Sequence, residues 1–260
     1  MQKRIKVAEE HLEQYKESEG DGIEEKEMTF LEHLEELRWR IIYSLIGIVI
    51  GTIIAWVFVD FLVEQILLKP AKDSGVSLQN LKPFGQIFLY FQIALIAGLI
   101  ISIPNVFYQF WKFISPALRK HERRYILAIV IFSTLCFLAG IAFAYFVMLP
   151  LALSFAAQFG TQTIKNEFAV DEYMSIIISV MLAAGLVFEL PMLSFFLSKL
   201  GILKPSFMRK YRKHSIVIIL VAAAVLTPGT DPVSQVILAV PLVLLYEISI
   251  LVSKFSQKKS

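Results

Sequence analysis

Residues 32–63 read EHLEELRWRIIYSLIGIVIGTIIAWVFVDFLV, and this stretch decides the class of fold. Its second part, Ile41–Val63, is a predominantly apolar run. About 20 such residues are what an α-helix needs to cross a hydrocarbon core about 30 Å thick. Its first part carries glutamates Glu32, Glu35 and Glu36 at the entrance to this predicted membrane span. Basic residues are common at that place, so the acids need an explanation.

The rest of the chain is equally apolar. Its 260 residues are 57% hydrophobic with a mean hydropathy of +0.66, whereas soluble domains are nearer half apolar. The apolar residues gather in runs of about 20 and do not alternate as transmembrane β-strands do. The composition therefore predicts an all-α integral membrane protein and argues against a transmembrane barrel.

Six transmembrane helices are predicted. They cover about residues 41–63, 87–110, 125–149, 173–200, 215–226 and 233–252. The third is expected to stop at Pro150, and Pro191 and Pro241 lie inside the fourth and sixth. These spans form one membrane domain over residues 28–255, followed by a basic C-terminus, 256–260.

The N-terminal segment, residues 1–27, is acidic, with five Lys or Arg against nine Asp or Glu. It lacks the apolar segment of a signal peptide, so we expect a mobile cytoplasmic tail. The single cysteine, Cys136, excludes a disulfide framework or a Cys/His metal cluster.

Lysine and arginine are distributed unevenly between the predicted loops. Seven precede the first span, five follow the second, six follow the fourth and three close the chain. The other loops carry only Lys69, Lys72, Lys82 and Lys165. Because cytoplasmic loops are enriched in basic residues, both termini are predicted to be cytoplasmic, as six spans require.

The fifth span is short. Ser215–Leu226 covers roughly 18 Å at about 1.5 Å per residue. Either the following turn, TPGTDP at 227–232, dips into the membrane or the bilayer thins locally.

Polar residues inside the predicted spans are candidates for function. Glu189 lies midway along the fourth span, and Pro191 leaves the Val187 carbonyl without its helical donor. An acid beside a helix interruption forms a polar notch, and intramembrane acids are functional by default. The alternative is a buried acid that is protonated or bonded to a neighbouring helix. Glu247, near the end of the sixth span, could reach the interface, and Gln92 and Gln235 suit helix–helix hydrogen bonds.

The acids at the first span lie on one face of a predicted helix. Thr29 and Glu32 fit a capping box, so the helix is expected to begin at Thr29. Helical periodicity places the apolar and the charged side chains on opposite faces; these are Phe30, Leu34, Leu37 and Ile41 against Glu32, Glu35, Glu36 and Arg40. The pattern alone favours ordinary intrahelical ion pairs, Glu36–Arg40 and Glu35–Arg38.

A second acid is similarly placed after the second span. Glu122 stands among four basic residues in SPALRKHERRY, residues 115–125. Local charge balance is one interpretation. The other is that Glu36 and Glu122, at one membrane face, bind a cationic ligand that arrives along the membrane surface.

Five stretches together resemble one family. They are FLEHLEELRWRI (30–41), YQFWKFISPALRKHERR (108–124), FAYFVMLPLAL (143–153), GLVFELPM (185–192) and DPVSQVILAVPLVLLYEISI (231–250). In this order they are similar to TatC, the receptor subunit of the twin-arginine (Tat) protein translocase. The resemblance covers about residues 28–255 and leaves out the acidic tail.

The resemblance implies a fold and partners. It implies six spans in a concave, glove-like arrangement, with the fifth and sixth spans short and both termini in the bacterial cytoplasm. It implies a multi-pass protein of the inner membrane that binds twin-arginine signal peptides and exports folded proteins. Its partners would be TatA and TatB, single-span proteins, and further copies of itself, with no nucleic acid. The protonmotive force would supply the energy, with no cofactor, metal or nucleotide.

The resemblance also implies roles for individual residues. Signal-peptide binding falls to Glu36, Arg38, Phe113, Pro116 and Glu122. A partner-binding or intramembrane polar site falls to Glu189, Gln235 and Glu247. The external loops carry Asp231 and Pro83, the latter in LKPFGQIF (81–88).

Two other functions are alternatives to a non-catalytic receptor. A proton-coupled transporter would use Glu189, but it should show inverted repeats with paired broken helices. An intramembrane protease needs a nucleophile with its base or an aspartate pair. All four histidines are predicted outside the spans and no aspartate pair lies within them, which argues against an enzyme.

Overall fold

The structure is a computed structural model that describes residues 30–117, 126–158, 167–226 and 232–257. The chain divides into two units, Met1–Trp39 and Arg40–Ser260. The described residues are mostly helical, which confirms the predicted all-α class.

The first half of the chain contains two long helices joined by short elements. Its elements are α1 (Phe30–Val57), α2 (Val59–Phe61), π1 (Leu62–Leu67), α3 (Lys69–Asp73), β1 (Ser77–Gln79), α4 (Gly85–Ile114) and a 3₁₀ turn (Ser115–Ala117). The second half continues with α5 (Ile126–Phe143), π2 (Ala144–Met148), α6 (Leu149–Gln158), β2 (Glu167–Ala169), α7 (Val170–Phe188), α8 (Leu190–Lys199), α9 (Pro205–Lys210), α10 (Arg212–Leu226) and α11 (Pro232–Gln257).

Among the described residues, five helical segments are long and apolar enough to cross a membrane. They are Leu31–Val57, Gly85–Ile114, Ile126–Ser154, Val170–Lys199 and Ala239–Ser256. Many of their large apolar side chains are exposed, among them Ile53, Phe88 and Phe146. Exposed apolar surface on this scale is what lipid covers in a multi-pass membrane protein.

The helix lengths correct one prediction. The third span does not stop at Pro150, because π2 precedes a new helix, α6, in which Pro150 is the second residue. At that position a residue's N–H has no acceptor within the helix, so the proline breaks no helical hydrogen bond. The helix of the predicted sixth span, α11, has 26 residues and continues through Pro241, and its candidate membrane span, Ala239–Ser256, has 18. The helix α10 has 15 residues, in line with the short fifth span.

A kink or local hydration is predicted near Pro191 in the fourth span, and the structure has a break between two helices there. Glu189 separates α7 from α8, and its N–H donates to the Leu186 carbonyl at 3.1 Å, three residues back. Pro191 is the second residue of α8. An N–H at that position has no acceptor within the helix, so its absence in proline breaks no helical hydrogen bond.

A small parallel sheet was not predicted. β1 pairs with β2 in the register Ser77 to Glu167 and Gln79 to Ala169. Two strands of three residues, far apart in the chain, are too short to show a period of two. Nearby, two tyrosine hydroxyls hold π1: Tyr145 donates to the Ile66 carbonyl and Tyr173 to the Leu67 carbonyl, each at 2.8 Å.

Glycines allow two close helix crossings. A Cβ at Gly140 of α5 would lie 2.6 Å from the Ala184 carbonyl oxygen of α7, and one at Gly185 would lie 2.8 Å from the Phe137 ring. A Cβ at Gly51 of α1 would lie 2.5 Å from the Gly98 carbonyl oxygen of α4. Small residues are the usual means by which membrane helices approach each other.

The α5–α7 crossing predicts a steric effect. Gly140→Leu should lower the free energy of unfolding by about 1–3 kcal/mol, because its side chain has no room against α7. The measurement is thermal unfolding in detergent. Ala139→Leu is the matched control, since Ala139 is the exposed neighbour on the same helix. Equal melting temperatures for the two variants would show that the helices are not in close contact.

Candidate functional site

The residues predicted to bind a signal peptide fall in different parts of the chain. Glu122 lies outside the described residues, as does Asp231. Glu36 and Arg38 belong to the first unit, and Phe113 and Pro116 to the second.

Glu36 and Arg38 lie on α1, within its first ten residues. Glu36 is partly buried, whereas Glu35 and Arg38 are exposed. Burial therefore distinguishes Glu36 from its neighbouring acid, a difference that helical periodicity had not predicted.

Arg40 begins a ladder of polar contacts between α1 and α4. Its guanidinium donates to Gln109 Oε1 at 3.1 Å, and Gln109 Nε2 donates to Asn105 Oδ1 at 3.4 Å. Asn105 in turn donates to the Tyr43 carbonyl at 3.1 Å, and the Ser102 hydroxyl to the Gly47 carbonyl at 2.7 Å. The ladder fastens the second unit's part of α1 to α4.

Sequence analysis missed this ladder. Ser102, Asn105 and Gln109 are spaced three and four residues apart, so they share one face of α4. Gly47 and Gly51 of α1 form a Gly-x-x-x-Gly pattern, the known signal of close packing between membrane helices. Together these spacings could have identified the contact.

Phe113 and Pro116 lie at the end of α4 and in the 3₁₀ turn that follows it, and both are partly buried. Trp111, which is 1% exposed, anchors this end of the helix. Its ring meets Phe196 of α8 edge-on, with ring centroids 4.8 Å apart. The end of α4, which precedes the stretch leading to Glu122, is therefore held in place by this packing against α8.

Glu189 is buried, with 7% of its surface exposed. Its carboxyl lies beside the Ser133 side chain and the Phe137 backbone of α5. Within the described part of the chain, Glu189 Oε1 and the fully buried Ser133 hydroxyl make no hydrogen bond of normal geometry, although the two side chains are close enough to interact with each other. A buried acid with unused hydrogen-bonding capacity is expensive, and such groups call for an explanation.

Of the other polar residues predicted within the spans, Gln235 and Glu247 are bonded to other described residues of the chain and Gln92 is not. Gln235 Nε2 of α11 donates to the Leu220 carbonyl of α10 at 2.9 Å, which confirms the predicted helix–helix bond. Glu247 pairs with Arg212 at 2.5 Å, and both side chains are partly exposed. Gln92 is exposed on α4, and no hydrogen bond links it to another described residue, so the bond predicted for it is absent there.

Pro83 lies exposed just before α4, at the end of the molecule that carries the small sheet. Its neighbour Lys82 pairs with Asp171 at the start of α7. The hydrogen bond to Asp171 raises the pKa of Lys82 above its ordinary value. The segment around Pro83 is thereby joined to the fourth span.

Among the described residues, no three His, Cys, Asp or Glu side chains come together as a metal site.

A family model described as Sec-independent protein translocase protein (TatC) matches residues 32–241 of this chain. The chain belongs to the TatC family. The resemblance found in the sequence is confirmed, and the protein is a component of a Sec-independent protein translocase. The TatC family is a family of translocase components and not a class of enzymes.

Relatives that match nearly the whole length of the chain support its membership of the TatC family. TatC of Aquifex aeolicus is 41% identical over 89% of this chain and 97% of its own. TatC of Carboxydothermus hydrogenoformans is 39% identical over 91% of this chain and 97% of its own. A crystal structure described as the twin-arginine translocase receptor TatC is 41% identical, covers 86% of this chain and 99% of its own, and superimposes with a TM-score of 0.76.

Proposed function

We propose that this chain is the receptor for twin-arginine signal peptides in its translocase, and that it passes folded proteins across the membrane. The observation that carries the proposal is the similarity to the solved twin-arginine translocase receptor, which extends over 99% of that chain. The family's name and the partly buried Glu36 near the start of α1 support it further.

Signal recognition rests on paired charges. The planar guanidinium of arginine binds carboxylates through two parallel hydrogen bonds. Two consecutive arginines require two acids, and Glu36 and Glu122 provide them. We assign Arg38, Phe113 and Pro116 to signal-peptide binding as well, and the basic residues that neighbour the two acids in the sequence repel other cations.

Partial burial explains why Glu36, and not Glu35, is the recognition acid. A carboxylate that is partly screened from water gains more from an arginine than an exposed one, because exposed ion pairs contribute little. The apolar part of the signal peptide can then enter the bilayer beside the spans.

This mechanism predicts a specific loss of binding. Glu36→Ala and Glu122→Ala should each weaken cross-linking of a twin-arginine signal peptide by about tenfold or more, because each removes a charge-assisted hydrogen bond. Cross-linking to the full chain in membranes measures this. Glu35→Ala is the control, since Glu35 is exposed on the same helix. Unchanged binding in both variants would exclude recognition by paired carboxylates.

Partner binding falls to the polar notch at Glu189. The partners are single-span proteins of the TatA and TatB type, and further copies of the chain join the complex. We assign this role to Glu189 because it is an acid buried within the membrane domain, beside Ser133 of α5. Gln235 lies on another helix pair and extends the polar surface available to partners, while Glu247 is already paired with Arg212.

Glu189 should therefore matter for assembly more than for signal recognition. Glu189→Ala is expected to lower co-purification with TatA- and TatB-type partners at least about fivefold, with signal-peptide cross-linking retained. Glu247→Ala serves as the control, because it removes an acid that is bonded within the chain. Normal assembly of Glu189→Ala would assign the buried acid a structural role.

The orientation in the inner membrane follows from the basic loops. Residues 28–255 cross the membrane six times in a concave arrangement, with α10 as the short fifth span and both ends, including the tail 1–27 and the segment 256–260, in the cytoplasm. The protonmotive force drives export, without a cofactor or nucleotide. The enrichment of Lys and Arg before α1 and around α9 supports this orientation.

A reporter that is active only outside the cytoplasm tests the orientation. Fused after Asp231, it should be active, because that turn follows the fifth span. Fused after Lys210, it should be inactive, since Lys210 lies in a basic loop. The reverse pattern would show that the topology is inverted.

A further inference from the structure

The turn between α8 and α10 carries an exposed surface that none of the roles above uses. Its side chains are basic and aromatic in alternation. We name it the basic–aromatic surface; it consists of Lys204, Phe207, Arg209, Lys210, Tyr211 and Lys213, all exposed. It surrounds the short helix α9 and the first turn of α10.

The chain holds this surface in place from beneath. Met208 of α9 is 6% exposed, and its carbonyl accepts a hydrogen bond from the Tyr246 hydroxyl of α11 at 2.8 Å. Arg212, at the start of α10, pairs with Glu247 of α11. These two contacts fix the inner side of α9 and the start of α10, so the remaining cations are directed outward.

Within the described part of the chain, the cations of the surface form no ion pairs with acids. Among the described residues, no carboxylate pairs with Lys204, Arg209, Lys210 or Lys213, whereas Lys72 and Lys82 at the sheet end each have one. An uncompensated group of cations attracts anions, and the attraction is strongest where several act together.

The two aromatic rings of the surface are in contact, with their planes tilted by 44°. The ring centroids of Phe207 and Tyr211 are 4.5 Å apart, and the Lys210 ammonium lies 6.0 Å from the Tyr211 ring. Phe207 and Tyr211 are 55% and 38% exposed. Exposed aromatic rings beside lysines are typical of the level at which lipid headgroups meet water.

The position of the basic–aromatic surface relative to the apolar part of α10 also places it at the level of the lipid headgroups. Val217, Ile218 and Val221 are 58%, 67% and 60% exposed, so this part of α10 faces hydrocarbon. Lys213 precedes Val217 by four residues, a rise of about 6 Å. The headgroup layer on each side of the core is about 5–8 Å thick, so the basic–aromatic surface lies within it.

We propose that the basic–aromatic surface binds the phosphate groups of anionic phospholipids. The cations contact the phosphates while Phe207 and Tyr211 enter the boundary between headgroups and acyl chains. Bound lipid holds the α8–α10 turn at the membrane surface. The proposal concerns the lipid alone and does not depend on signal recognition.

The test measures lipid retention by the purified full-length chain. Native mass spectrometry counts phosphatidylglycerol and phosphatidylcholine molecules that remain bound as each lipid is titrated in detergent. Wild type should prefer phosphatidylglycerol. The triple variant Arg209→Gln, Lys210→Gln, Lys213→Gln should bind phosphatidylglycerol about tenfold more weakly or worse, with phosphatidylcholine unchanged.

Two further variants separate the surface from general charge. Arg209→Lys, Lys210→Arg, Lys213→Arg keeps the charge and should keep the preference. Lys69→Gln, Lys72→Gln, Lys82→Gln removes as many charges at the sheet end and should also keep it. Circular dichroism should show the same helix content in every variant.

Three results would overturn the proposal. The first is an equal loss in the sheet-end variant, and the second is full retention of phosphatidylglycerol in the triple glutamine variant. The third is displacement of the lipid by inorganic phosphate or by an acidic soluble peptide at equal concentration, since the surface would then recognise free anions or a protein and not a membrane lipid.

Discussion

The close crossing of α5 and α7 is the contact on which the membrane domain depends. Lipid is as apolar as the helices, so burial of apolar surface does not hold the helices together, and packing must do so. Gly140 and Gly185 let the two backbones meet. The helices run antiparallel there: Phe137 faces Gly185, and one further turn along each helix brings Ser133 to Glu189. The position of the buried acid is thus a consequence of a glycine contact.

Polar groups in the spans differ in how they are satisfied. Gln235 bonds to a backbone carbonyl, and Gln109 is bonded on both sides, to Arg40 and Asn105. Those residues fasten one helix to another. Glu189 Oε1 is buried without a bond to any described residue, although an unsatisfied polar group in an apolar medium costs several kcal/mol. This cost sets Glu189 apart from the other polar residues of the spans, and the proposed role in assembly is assigned to it for that reason.

Several features could be read from local patterns, and others could not. Pro191 predicted the interruption at Glu189, because a missing donor acts on its own helix. Pro150 did not end its helix, because the π turn before it made Pro150 the second residue of a new helix. The β1–β2 pair joins residues about 90 positions apart and leaves no local pattern. The partial burial of Glu36 could not be predicted, because helical periodicity places Glu36 and the exposed Glu35 on the same polar face.

The sequence by itself determined the membrane class, the number of long apolar runs and the family. The length of an apolar run and the order of motifs can both be recognised without knowing which residues are in contact. Only the tertiary structure decided which polar residues are bonded within the chain and which are not. It paired Glu247 with Arg212, joined Arg40 to Gln109 and left Glu189 buried beside Ser133. The physical reason is that a hydrogen bond between helices depends on distances of about 3 Å between residues far apart in the chain, and no periodicity in one segment encodes its partner.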